Sequence, residues 1–490
     1  MVMWLTRRQV LAGLGATLGT AAHAEAPLRS YRPIARVSPR AALDGIVARA
    51  GISGQVGVAL GDPATGEVLE TYNAAALLPP ASVTKAVTAL YALETLGADH
   101  RFTTRVLAQG TLRDGILDGH LIIAGGGDPD LGTDEMARLV DATHAAGLRE
   151  VRGDFLVWDG ALPTLDQIDP AQLPHVGYNP ALGGLNLNYN RVHFEWRRQG
   201  QTIVTTMDAR SETHRPPVTI ARMRVVDRDQ PVFTHARDGD VDDWTVARSA
   251  LNAEGSRWLP VRAPALYAAE VFAVFARSKG IVLGNPRVIP ALPQAVELAR
   301  HDGQPLAGVL AQMMRYSTNI TAEALGLTAT ARIAGQVRGL RASAQDMARW
   351  AGLRAPGIAA QFADHSGLGD ASQISAADMV AFLQARDAQP RLRPLMRDIR
   401  LVDQNQTAIS AGQAGVQAKT GTLNFVSALA GYLRTAGGRD LSFAIFAADL
   451  EARDRGKALG EEIPPGARRW NAQARRLQQD ILQQWALRAY

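Results

Sequence analysis

The chain contains no cysteine, so a disulfide framework, a thiolate metal site and a cysteine nucleophile are all excluded. Its ten histidines are scattered, with no His-Glu-x-x-His or paired-His spacing, which argues against a zinc centre. Aromatic residues make up only 6% of the chain, and no basic run carries interleaved aromatics, so no nucleic-acid surface is expected. No apolar run reaches the roughly 20 residues that a membrane-spanning helix needs. Lysine is the rarest charge. Only four of the 52 basic residues are lysine: Lys85, Lys279, Lys419 and Lys457.

What is present describes a globular protein of 490 residues, 47% hydrophobic and 20% charged, with a net charge of +5. That length is enough for two to four domains and a full core. At the N-terminus Thr6-Arg7-Arg8-Gln9-Val10-Leu11 leads into an apolar stretch, 11–20, and then Ala22-His23-Ala24. A paired arginine, a short apolar run and a small-x-small sequence read as a twin-arginine-type export signal over 1–24. The mature protein is then extracytoplasmic and periplasmic, and its stability rests on the core alone.

Residues 54–60 alternate like a strand, 61–66 form a turn, and 67–72 return, giving a hairpin. Pro79-Pro80 introduces a helix over 82–96, ended by Gly97. Its apolar positions (Val83, Val87, Leu90, Leu93, Leu96) surround the axis, so it is expected to be central and buried. Over 98–260 the texture changes to short strand-like pieces at 121–124, 155–158, 188–196 and 218–226. This is read as a mostly β insertion of one or two subdomains. Helical texture resumes at 263–278, 305–324 and 376–386, and a second hairpin turns at Gly437-Gly438-Arg439. In the tail, Trp470, Ala474, Leu477, Ile481 and Trp485 recur at helical spacing. Basic residues do not dominate the polar face, so a helix packed on a sheet is favoured and any membrane contact is peripheral.

Two of the four lysines sit where arginine would not serve. Arginine keeps its proton in proteins, whereas lysine becomes a base once burial or a nearby cation lowers its pKa. Lys85 closes Ser82-Val83-Thr84-Lys85, the only Ser-x-x-Lys in the chain. At that spacing its amine reaches the serine oxygen across one helical turn. A serine hydroxyl needs such a base to become a nucleophile. Lys419 is the candidate second cation that would depress Lys85. Ser317-Thr318-Asn319, in the helical stretch 313–323, offers a hydroxyl to relay a proton and an amide to hold Lys85 or a substrate carbonyl. Lys419-Thr420-Gly421 falls on a strand. There Lys419 and Thr420 can hold a carboxylate, Gly421 admits a close approach, and the Thr422 N–H can join the Ser82 N–H as an oxyanion hole.

Ser-x-x-Lys, Ser-x-Asn and Lys-Thr-Gly in this order resemble the signature of the serine penicillin-binding proteins and serine β-lactamases. Within that group the chain is most similar to the D-alanyl-D-alanine carboxypeptidase/endopeptidase family of the penicillin-binding protein 4 type (peptidase family S13). Ser82 and Ser317 stand 235 positions apart, where that family carries a large insertion. Further stretches agree: Gly125-Gly126-Gly127-Asp128-Pro129-Asp130-Leu131, residues 186–192, and Ala322-Glu323-Ala324-Leu325. There are departures. Asp364-His365-Ser366-Gly367-Leu368-Gly369 stands where the family often has Asp-Gly-Ser-Gly-Leu-Ser.

The resemblance implies an α+β fold, with a catalytic domain of antiparallel sheet flanked by helices from 27–97 plus 261–490, interrupted by 98–260. It implies acylation of Ser82 by D-Ala-D-Ala stem peptides or D-configured cross-links of peptidoglycan, with Lys85 as base and Ser317, Asn319 and Lys419 in the catalytic set. Thr420, Gly421 and Thr422 would bind substrate, with Asp159 as a candidate contact for the peptide stem. β-Lactams would acylate the same serine. No metal or organic cofactor is implied, and a homodimer is compatible with the sequence. A β-lactamase, an esterase of the same superfamily and a non-catalytic cell-wall-binding protein are the alternatives.

Overall fold

Two apolar strands near the C-terminus sort their side chains by parity. In Val426–Arg434, the side chains of Val426, Ala428, Ala430 and Tyr432 enter one core, and those of Leu429 and Leu433 another. In Asp440–Ala448, Ala444, Phe446 and Ala448 join the first, and Leu441, Phe443, Ile445 and Ala447 join the second. A period-2 strand that is apolar on both faces must be covered on both faces. The computed structural model, which describes residues 39–403, 407–408, 412–488 and 490, shows that arrangement. The export segment read at 1–24 lies outside the described residues.

The sheet runs in the order Arg397–Asp398, Gly415–Leu423, Val426–Arg434, Asp440–Ala448, Gln55–Gly61, Val68–Tyr72, antiparallel throughout. Both expected hairpins are there. The alanine-rich face receives the central helix Thr84–Leu96 and, around it, Leu306–Tyr316, Asn319–Ala334, Leu340–Arg354 and Ala376–Gln384. Small side chains on that face let the helices approach closely. Pro39–Ala50 and Ala467–Leu487 cover the opposite face. The five apolar tail positions are all buried there, so this helix packs on the sheet. No helix among the described residues is long and apolar enough to cross a membrane.

The inserted body has its own core. Its main sheet runs Pro286–Ile289, Phe155–Trp158, Ile116–Ala124, Thr103–Arg113, Val296–Asp302, with two three-stranded sheets beside it. The chain was expected to return to the first body at residue 261. Instead, helix Pro264–Ser278 packs Tyr267, Ala268, Val271 and Phe272 into the inserted core. The strands at 286–289 and 296–302 also pair with insertion strands. The return therefore follows Asp302, and the insertion contains helices (Thr133–Ala145 and Pro264–Ser278) as well as strands.

Candidate active site

The turn carrying Ser82 is wedged between two glycines. Ala81 has a left-handed φ of 46°, after which one 3-10 turn, Ala81–Val83, leads into helix Thr84–Leu96. A Cβ on Gly367 would stand 1.8 Å from the Ala81 carbonyl oxygen. A Cβ on Gly421 would stand 2.6 Å from the Pro80 carbonyl oxygen and 3.0 Å from the Ser82 nitrogen. Only residues without side chains let the loop and the strand hold the turn this closely.

One helical turn later, Lys85 is fully buried. Its Nζ donates to Ser82 Oγ (2.9 Å), Asn319 Oδ1 (2.7 Å) and the Ser366 carbonyl (2.8 Å). These three acceptors saturate an ammonium. Once the lysine is neutral, the two carbonyl oxygens retain its two N–H groups, and the lone pair faces Ser82 Oγ. Burial lowers its pKa to about 8, while the carboxylates of Glu323 and Asp364 pull the other way. The second cation expected to depress Lys85 is instead depressed itself. Lys419 is held well below the usual lysine range by burial first, then by the charge of Lys85 and by Arg397.

The helical stretch read at 313–323 is two helices, and Ser317 stands between them. It caps Leu306–Tyr316 with a left-handed φ of 59°, and Asn319 opens the next helix. That break turns the Ser317 hydroxyl toward the strand, where Lys419 Nζ donates to it at 2.9 Å and to the Thr420 carbonyl at 2.7 Å. Asn319 Nδ2 donates to the Tyr178 carbonyl at 2.8 Å. Lys85 on one side and Tyr178 on the other fix the orientation of this amide. Tyr178 comes from the inserted body, which therefore completes the site.

A cleft of about 390 Å³ opens over these groups, lined by Ser82, Ser317, Asn319 and Thr422 and by Gln172 and Tyr178 from the inserted body. Asp159 is not brought to it. Its buried carboxylate accepts the Leu185 N–H and the Thr164 hydroxyl, and burial raises its pKa to about 6. It braces a loop of the insertion. His365 also turns away from the cleft. Its ring lies against Gly326, where a Cβ would meet it at 2.1 Å, and its Nε2 is 2.8 Å from Ser343 Oγ. Sequence reasoning missed Glu323, Asp364, Ser366 and Tyr178. For Glu323 a signal existed: it lies four residues after Asn319, on the same helical face.

Among the described residues no cluster of His, Asp and Glu is placed to hold a metal ion. The groups present can carry out proton transfer and nucleophilic attack by a serine, next to a buried lysine amine.

A model of the D-Ala-D-Ala carboxypeptidase 3 (S13) family matches residues 40–462. The D-alanyl-D-alanine carboxypeptidase of Actinomadura sp. (strain R39) is 27% identical, over 87% of this chain and 86% of that protein. The D-alanyl-D-alanine carboxypeptidase DacB of Haemophilus influenzae is 24% identical, over 79% and 85% respectively. In fold, the chain resembles the crystal structure of penicillin binding protein 4 (dacB) from Haemophilus influenzae, with a TM-score of 0.71 at 20% identity, covering 90% of this chain and 99% of that one.

Proposed function

The chain belongs to the D-Ala-D-Ala carboxypeptidase 3 (S13) family, and on that premise we propose that it is a serine D,D-peptidase of peptidoglycan working through an acyl-enzyme on Ser82. The observation that carries this reading is the placement of Lys85: buried, with two N–H groups committed to carbonyl oxygens and Ser82 Oγ at 2.9 Å.

Neutral Lys85 takes the Ser82 proton as Oγ bonds to the carbonyl carbon between two D-alanines. The oxyanion forms beside the Ser82 and Thr422 N–H groups. The C–N bond then breaks, and the leaving amine receives the proton from Lys85 through the Ser317 hydroxyl. Water hydrolyses the ester and restores Ser82. Lys419 with Thr420 holds the terminal carboxylate of a carboxypeptidase substrate. A D-configured cross-link presents the same kind of bond, so endopeptidase activity is part of the proposal. β-Lactams are proposed inhibitors; a crystal structure of the Haemophilus influenzae protein in complex with a β-lactam, similar to this chain with a TM-score of 0.70, supports this. The paired arginines and small-x-small sequence of residues 1–24 support action in the periplasm.

The test is release of D-alanine from an acyl-D-Ala-D-Ala peptide, run beside a cross-linked muropeptide dimer, with Ser82→Ala as the control. Release abolished by S82A supports the reading. Release that survives S82A refutes it. Cleavage of the monomeric peptide alone removes the endopeptidase part.

A further inference from the structure

Glu323 is fully buried, and the acylation scheme leaves it without a task. Its two oxygens accept consecutive backbone amides: Oε2 from the His365 N–H at 2.9 Å and Oε1 from the Ser366 N–H at 3.0 Å. The same short loop is held at two other points. Thr88 Oγ1 donates to the His365 carbonyl at 2.6 Å. Asp364 accepts the Gly367 and Gly369 N–H groups at 2.5 and 2.7 Å. The Ser366 carbonyl, set by these contacts, receives Lys85 Nζ at 2.8 Å.

We propose that Glu323 is a positioning residue for the proton transfer: it clamps the 365–366 backbone so that Ser366 O takes one Lys85 N–H and the amine's lone pair faces Ser82. This rests on the acylation reading above. Asn319 and Glu323 lie one turn apart on helix Asn319–Ala334. A single helix therefore fixes two of the three Lys85 partners, Asn319 directly and Ser366 O through the glutamate. A carboxylate is required because both of its oxygens accept. A glutamine would turn an NH2 group toward a backbone N–H. The charge matters as well. Lys85 faces Glu323 from this helix, Asp364 from the loop and Lys419 from the strand, with Arg397 acting on Lys419 and Asp169 on Asp364. The neighbouring His365 ring is kept neutral by burial.

The experiment is the second-order rate of acylation by benzylpenicillin, followed from about pH 6 to 10, for wild type, Glu323→Gln and Glu323→Asp. For E323Q the expected result is a plateau about 100-fold lower, as displacement of a catalytic group by about 1 Å produces. Burial raises the Glu323 carboxyl to about 8, so its negative charge is present in the upper part of this range; there the loss of that charge favours neutral Lys85 and displaces the rising limb to lower pH. A merely structural role would lower thermal stability without moving the limb. E323D keeps the charge but falls short of the amides, so its limb stays near the wild-type position while its plateau drops. This variant decides the matter if E323Q does not fold. Folded E323Q with wild-type rate and limb, or E323D with a wild-type plateau, overturns the inference alone. Wild type unreactive at every pH overturns it together with the acylation reading.

Discussion

Replacing Gly421 with alanine would test whether the strand positions Ser82, the proposed nucleophile. Gly421 pairs with Ala428 inside the sheet, and its backbone abuts the Ser82 turn. An added Cβ would lie 2.6 Å from the Pro80 carbonyl oxygen and 3.0 Å from both Ala81 Cβ and the Ser82 nitrogen. Ordinary contact begins at 3.4 Å, so the Pro80 carbonyl must retreat by roughly 0.8 Å, the difference between the two distances. The strand is paired along its whole length with Val426–Arg434, so most of that movement falls on the turn. Displacement of about 1 Å at a reacting group costs about 100-fold in rate, which is about 2.7 kcal/mol of transition-state stabilisation. Overpacking should also cost about 1–3 kcal/mol of stability. The assay pairs the second-order rate of benzylpenicillin acylation with a thermal melt. A rate within about threefold of wild type, where about 100-fold is expected, would show that this contact does not set the position of Ser82.

In the wild-type protein, acylation should rise with pH through about 8, because Lys85 must lose its proton to act and burial has already lowered its pKa to that value; a rate flat across that range contradicts the lysine-base mechanism. Lys419→Met removes the donor to Ser317 Oγ and should lower acylation by about 100-fold or more, leaving the melting temperature near wild type or higher because a depressed buried amine has been replaced by an apolar chain; wild-type acylation would show that the amine has no part in the reaction. Burial holds His365 down to about 3, below its unfolded value of 6.5, so the unfolded chain binds the extra proton and stability falls as pH drops from the unfolded value toward the folded one, by up to about 1.4 kcal/mol per pH unit. Chemical denaturation of His365→Asn should lack that component, and an unchanged pH slope refutes it. Arg262 donates to the carbonyls of Asp166, Pro174 and Asn179, bracing the loop that carries Tyr178 to Asn319; charge-assisted bonds of this kind contribute about 1.5–3 kcal/mol each, so Arg262→Ala should lower the melting temperature and raise KM for the peptide, and unaltered values of both would separate the loop from the site.

The groups proposed to act in catalysis were legible because the proposed chemistry depends on side chains at fixed spacing. Ser82 with Lys85, Ser317 with Asn319, and Lys419 are brought together as the motif order implied. Asp364 was not legible, because it acts on backbone N–H groups, and any sequence can supply those; Glu323 acts in the same way, and only its spacing from Asn319 marked it. Ser317 and Asn319 read as one helical stretch because Ser317 takes the left-handed turn without a glycine to mark it. The six-stranded sheet beside the site declared itself through hairpins with apolar runs. The end of the insertion did not, because the strand Pro286–Ile289 has no fully buried residue and the helix before it looks like any buried helix. Asp159 was placed by resemblance alone, and its burial behind Leu185 is a tertiary matter.

The central claim is that Ser82 is acylated. The most direct test is the intact mass of the protein after incubation with benzylpenicillin, followed by mapping of the modified peptide. The account predicts one stoichiometric penicilloyl adduct on Ser82, absent from S82A. An adduct on another residue contradicts it, as does an unmodified protein with the drug still intact.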